Sequence, residues 1–410
     1  MKNRTNKILY IISIAFLVLG AVGLIISMEM RESVQPQGTV DEEKIRFALY
    51  GNEEIQKIAE EVAETFMKQN KCKVEVYCYA SEEELNSKII SQIAGGTTFD
   101  VFYTNQDILS RLMEVNELQE LDDIVESRRQ EGDEFYAVAL ENGNFDGKQY
   151  ALPAGVMPYM IYYNRSFLTE NGLEDVQTLF EKKQWNLEGF AAYMRAVKER
   201  TGKPGIALPG DWTVAEPFVR CDGGKYKAAD GQVELNDKAL ETLEVLGQLM
   251  EEGTVMNAET EDSTSLAEAF SAGELPMIIG GLEMTRVCSR IDFEWDIVPY
   301  PSVESDFQNS NFDVPLVAAG NGKHVRMAKK FLSYYVSTLG QKIRLEKGEC
   351  LIPSLSMVFY TSMGDVEFPE HSNYYFFAIE NGYSSNRTGI LDNEKEQILD
   401  IWGDYMEDGT

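Results

Sequence analysis

The chain is short of histidine, of basic residues and of paired cysteine. Two His occur in 410 residues, and 37 Lys and Arg face 68 Asp and Glu, a formal net charge of −31. A surface so acidic excludes general nucleic-acid binding, which needs Lys and Arg to neutralise phosphates. It also argues against polyanionic substrates and adhesion to acidic lipid. Neutral and cationic small molecules remain. The two histidines, His324 in Gly-Lys-His-Val and His371 in Pro-Glu-His-Ser, have no partner at metal spacing such as His-Glu-x-x-His, so no metal site and no metal cofactor is expected. The five cysteines (Cys72, Cys78, Cys221, Cys288 and Cys350) are odd in number and irregular in spacing, without Cys-x-x-Cys. Cys72 and Cys78 fall on one expected strand, which holds them roughly 20 Å apart and beyond disulfide reach. Free thiols are expected.

Enzyme signatures are also missing. No Gly-x-Ser-x-Gly, Ser-x-x-Lys or phosphate-binding loop appears, and no Gly-x-Gly-x-x-Gly follows a strand. Paired carboxylates could serve a glycosidase, but 68 acidic residues select no pair.

What is present is a globular composition, 44% apolar and 26% charged, sized for about two domains. Lys2, Arg4 and Lys7 precede an uncharged apolar run at 8–28, followed by Glu29. At about 1.5 Å per helical residue the run matches a hydrocarbon core of about 30 Å. It reads as a membrane anchor with its N-terminus inside, or as a cleaved signal segment. No Cys ends the run for a lipid anchor. Residues 29–40, rich in Glu, Gln, Pro, Gly and Ser, read as a linker. Everything beyond lies outside the membrane.

The exported part alternates strand and helix. Strands are expected at 45–50, 74–79 and 99–103, with helices at 53–69 and from 82 to 93 between them. Ser81-Glu82-Glu83-Glu84 is a capping-box start and Gly95-Gly96 a stop. This order predicts a parallel sheet with right-handed crossovers and a ligand crevice at the carboxyl ends of its strands, at 50–52 and 104–106. Further strands are expected at 160–164, 276–279, 295–298 and 314–318. Helices are expected at 187–200, 237–252, 263–272, 325–338 and 340–346. In the pair Tyr162-Tyr163, alternation sends one ring into the core.

Four motifs in order carry a family resemblance. They are Gly95-Gly96-Thr97-Thr98-Phe99-Asp100-Val101, with Phe99 where Pro is usual; Asp146-Gly147-Lys148-Gln149-Tyr150-Ala151-Leu152-Pro153 followed by Tyr163-Asn164-Arg165-Ser166-Phe167-Leu168; Ala267-Glu268-Ala269-Phe270-Ser271-Ala272-Gly273-Glu274 with Met277-Ile278-Ile279-Gly280; and Ala328-Lys329-Lys330-Phe331-Leu332 before Ile352-Pro353. Over residues 44–355 the chain resembles the extracellular solute-binding proteins of ABC importers, in the carbohydrate-binding family that includes maltose-binding protein. The resemblance implies an α/β, two-lobe periplasmic-binding-protein-like fold of type II. Each lobe is a sheet flanked by helices, and the ligand cleft lies between the lobes. Lobe 1 is expected at 41–155 plus 300–350, and lobe 2 at 156–299 plus 351–410. Hinge closure around the ligand is the motion of such folds.

Carried over position by position, the resemblance implies ligand contacts at Tyr50, Asn52 and Glu53 after the first strand, and at Thr104, Asn105 and Asp107 after the third. Asn52 and Asn105 also suit helix caps. Met157 and Tyr159 lie on the crossing segment, Met157 where the family's sugar binders often carry a carboxylate. Trp212 is placed in a second-lobe loop as a stacking ring, and Glu283 stands where the family often has Trp. Asp313 and Tyr374 complete the candidates. The two departures favour a more polar, smaller or partly cationic ligand.

The function expected is capture of a sugar and its delivery to an ABC permease, by a monomer that performs no covalent chemistry and holds no cofactor. The alternatives are a membrane-anchored sensor partner of a kinase or chemoreceptor, and a glycoside-active enzyme.

Overall fold

Ile45, Phe47 and Leu49 are buried on the strand Glu43–Tyr50, which lies parallel to Cys72–Tyr79 in unbroken register and to Val101–Thr104 on its other side. The crossovers are the helices Glu53–Gln69 and Glu82–Ala94. Asn52 starts the first by accepting the Glu54 and Ile55 amides, and its apolar face buries Ile58, Val62 and Phe66. Ser81 starts the second by accepting the Glu84 amide. These are the parallel pairs and crossovers that the local pattern predicts. The computed structural model describes residues 43–229, 232–258, 263–355, 369–385 and 392–408. The apolar run 8–28 and the linker lie outside them, and among the described residues no helix is long and apolar enough to cross a membrane.

Two more strands complete the first sheet, whose order is Cys72–Tyr79, Glu43–Tyr50, Val101–Thr104, Leu316–Ala319, Ala151–Pro153. Leu316–Ala319 runs antiparallel to both neighbours. A second five-stranded sheet has the order Val255–Asn257, Ile206–Leu208, Met277–Gly280, Met160–Asn164, Trp295–Val298. Its strand Met160–Asn164 is buried throughout: Met160 and Tyr162 join one apolar cluster, Ile161 and Tyr163 the other. Both tyrosines are therefore core, where alternation alone had sent one inward. Helices pack on this sheet, among them Ser263–Ser271 on Met277–Gly280 and Val176–Glu181 on Trp295–Val298. The five cysteines are free.

Between the sheets lies a short three-stranded ladder of Met157–Pro158, Asn311–Asp313 and Tyr383–Ser384. Val156 bridges Ile352 beside it. Val156, Phe312 and Ile352 belong to the same cluster as Phe47 and Tyr162, so one apolar core continues from the first sheet through the crossing segments to one face of the second. The fully buried Arg344 ties this region together: it donates to the Ala154 carbonyl, pairs with Glu349 and stacks 4.5 Å over Tyr335.

The region expected to be a loop at Trp212 is a helix, Trp212–Arg220, with Pro217 inside it. Proline removes the amide that would bond the carbonyl four residues back. That carbonyl, on Thr213, instead accepts the Tyr300 hydroxyl at 3.0 Å and the Asn311 amide at 2.8 Å. The helix survives because distant side chains satisfy the group that Pro217 frees.

Candidate functional site

The crossing ladder and the ends of the second sheet border a half-open cavity of about 750 Å³. Three segments bring carboxylates to it. Asp211 caps the helix Trp212–Arg220 and accepts the Thr213 amide at 2.7 Å. Glu283 follows the strand Met277–Gly280, and its Oε1 accepts the Gly281 amide at 2.8 Å. Asp313 ends a ladder strand, and its Oδ2 accepts the Tyr159 hydroxyl at 2.8 Å. Leu266, Ile279, Met284 and Val287 form an apolar wall, and Thr213 and Thr264 add hydroxyls.

The loop that carries Glu283 is held from below. The Tyr162 hydroxyl donates to the Gly281 carbonyl at 2.6 Å and shares a 2.6 Å hydrogen bond with Tyr375. Met157 lies against Gly281 so closely that a Cβ there would come within 2.8 Å of its side chain. Gly281 thus lets the crossing segment and the loop meet. Asn311, two residues before Asp313, anchors the ladder to the Thr213 carbonyl, so both walls share one hydrogen-bonded frame.

The electrostatics follow from this crowding. Burial, with Asp211 and Glu82 nearby, pushes the Asp313 carboxyl up to about 6 against the pull of the Tyr159 hydroxyl. Burial also raises Glu283, while its own and the Gly281 amides oppose the rise. Solvent reaches Glu283 from the cavity, but protein hems it in on its other sides. Burial raises Tyr159 strongly, and Asp313 adds to the effect, so it remains a neutral donor. On the side of the first sheet, Tyr50 is raised by burial and by Glu82 and Asp313. Glu82 is itself raised by burial and accepts the Asn105 amide at 2.5 Å.

Of the twelve sequence-stated candidates, the structure brings Tyr159, Glu283 and Asp313 into the cavity lining, with Met157 packed beside them. Tyr50 and Asn105 meet at Glu82, within electrostatic reach of Asp313. The others go elsewhere. Asn52 is an exposed cap, and Glu53 is exposed and paired with Lys57. Thr104 is buried in its strand, and Asp107 lies in the first turn of the helix Gln106–Glu114. Trp212 packs edge-on against Tyr226 at 5.8 Å and sits half-buried on the second core, beside the cavity-lining Asp211 and Thr213. Tyr374 belongs to the core: it is buried, donates to Gln177 and packs against Phe307. Sequence reasoning missed Asp211, Thr213 and Glu82 as site groups. The signal was there for Asp211, a cap residue directly before the singled-out Trp212.

Among the described residues one group could hold a metal ion: Asp296, Glu370 and His371. It lies at the edge strand of the second sheet, outside the cavity. Asp296 pairs with His371 at 2.6 Å, and Arg165 takes Glu370 at 2.6 Å.

Comparison with known proteins fits this frame. The family model described as bacterial extracellular solute-binding protein matches residues 61–362. No curated protein matches the sequence. Among solved structures, the GacH receptor of Streptomyces glaucescens, known unliganded and with acarbose and an acarbose homologue, superposes with a TM-score of 0.72 at 19% identity, covering 90% of this chain and 94% of that one. An ABC substrate-binding protein of Listeria monocytogenes in complex with cycloalternan superposes with a TM-score of 0.70 at 17% identity, covering 90% and 95%. The fold is thus the periplasmic-binding-protein-like α/β fold that the motifs imply.

Proposed function

The chain belongs to the bacterial extracellular solute-binding proteins, and from that premise we propose that it captures a carbohydrate in the cavity at the crossing ladder and delivers it to an ABC permease. Family membership places the protein outside the cytoplasm. The observation that carries the reading is the cavity itself: about 750 Å³, at the crossing ladder, lined by separated carboxylates, two Thr hydroxyls and an apolar wall. Sugar rings present hydroxyls around their edge and C–H groups on their faces. Such a ligand needs acceptors with free lone pairs and an apolar surface, since each unpaired buried polar group costs about 1–3 kcal/mol.

The lobes proposed are 41–155 plus 300–350 and 156–299 plus 351–410. The crossing ladder is the hinge, closing over the ligand. The segment 8–28 anchors the protein or directs its export, and the protein acts as a monomer without covalent chemistry. Support for a binding role comes from the family and from structural neighbours that are binding proteins.

Thermal unfolding of the purified protein against mono- and oligosaccharides, amino acids and polyamines tests this. A ligand at about 100 times its Kd stabilises by roughly 2.7 kcal/mol. A dose-dependent rise with one sugar class is expected. A rise only with amino acids or polyamines would overturn the carbohydrate assignment.

A further inference from the structure

We propose that the captured carbohydrate carries a basic nitrogen, making the chain a receptor for amino sugars. The inference rests on the carbohydrate reading above and narrows it.

Asp211, Glu283 and Asp313 reach the cavity from three separate segments, and no Lys, Arg or His lines it among the described residues. One oxygen of each is already held: Asp211 Oδ1 by the Thr213 amide, Glu283 Oε1 by the Gly281 amide, Asp313 Oδ2 by the Tyr159 hydroxyl. No side chain among the described residues donates to the second oxygen of any of the three. Three carboxylates therefore line one half-open cavity, with no Lys, Arg or His among its described lining residues.

A neutral sugar can donate hydroxyls to those oxygens, but closure then buries three negative charges together. Burying charge without a counter-charge is far costlier than burying a hydroxyl. The neighbours do not remove the problem. Glu82 adds to the repulsion on Asp313, and Lys395 of the C-terminal helix eases it from outside the lining. An ammonium offers three N–H donors and one positive charge, the complement of what the cavity leaves open. The apolar wall of Leu266, Ile279 and Val287 suits the C–H face of the same ring. Among the described residues Tyr159 is the single aromatic residue of the lining, which therefore shows no row of the stacking platforms that a long neutral oligosaccharide exploits.

The test is calorimetric titration of the full chain with matched sets: glucosamine, galactosamine, mannosamine and a glucosamine disaccharide, each beside its N-acetyl form and its parent neutral sugar. A charge-assisted hydrogen bond predicts about a ten- to hundredfold advantage for at least one amine over both counterparts. The advantage should shrink at high salt and collapse in Asp313→Asn. Glu283→Gln, at a solvent-reachable position, gives the same reading should Asp313→Asn disturb folding. Neutral members binding as tightly as their amines would overturn the inference and leave the carbohydrate reading standing. Binding by no sugar of any set, whether or not spermidine binds, would overturn both.

Discussion

Glu216 offers a test of the electrostatics behind the cavity that needs no ligand. It lies on the helix that Asp211 caps, with no exposed surface. Its Oε1 accepts the Tyr226 hydroxyl at 2.6 Å, and Ser385 adds a weaker hydrogen bond to the carboxyl. Arg220 is no close counter-ion: it is 3.9 Å away and lies 3.8 Å over the Tyr383 ring instead. Burial therefore dominates and pushes the carboxyl from an ordinary 4.5 up to about 8. Between those values the folded protein holds a proton that the unfolded chain has released. This contribution to stability is complete below pH 4.5 and is lost as the pH rises through 8. Each pH unit costs about 1.4 kcal/mol, so the window carries about 4–5 kcal/mol, of which about 3 has gone by pH 7. Glu216→Gln has nothing to ionise. Urea unfolding followed by tryptophan fluorescence, at several pH values across the window, should show the variant gaining on the wild type with that slope. Other acidic groups affect both proteins alike and cancel in the difference. A gap that stays constant with pH would refute the reasoning.

Three further outcomes are expected. Tyr159→Phe removes the donor to Asp313 Oδ2, so the Asp313 carboxyl should move above about 6; NMR titration of that carboxyl reads the shift, and sugar affinity by calorimetry should fall about tenfold. Arg344→Ala leaves Glu349 without its buried partner and frees the Ala154 carbonyl; urea unfolding should show a loss of about 3–5 kcal/mol, and an Arg344→Met, Glu349→Leu double variant a smaller one. Glu54 and Arg286 join the first helix to the segment that carries Glu283, but both are well exposed; Glu54→Gln should cost less than about 1 kcal/mol, an effect that fades at high salt in the same assay.

The first half of the fold was legible because its signals are local. Asn52, Ser81, Asn105 and Asn236 each accept an amide within three residues, so the helix starts could be read from a short stretch of chain. The parallel strand pairs followed from helices inserted between apolar runs. The helix Trp212–Arg220 was illegible for the opposite reason. Pro217 reads locally as a break, and the groups that rescue it, Tyr300 and Asn311, lie far along the chain. Trp212, read as lying in a loop, instead opens that helix and packs on Tyr226.

The sequence by itself determined the strand and helix order, the acidic character and, through four short motifs, the family. Those properties depend on neighbouring residues, on totals or on residue identity. The tertiary structure alone decided which carboxylates face one another. Asp211, Glu283 and Asp313 come from three distant segments, and they meet because the crossing ladder and the second sheet end at the same place. Burial and charge repulsion act through space, so the raised Asp313 carboxyl and its two carboxylate neighbours in the lining belong to the folded chain and to no stretch of its sequence.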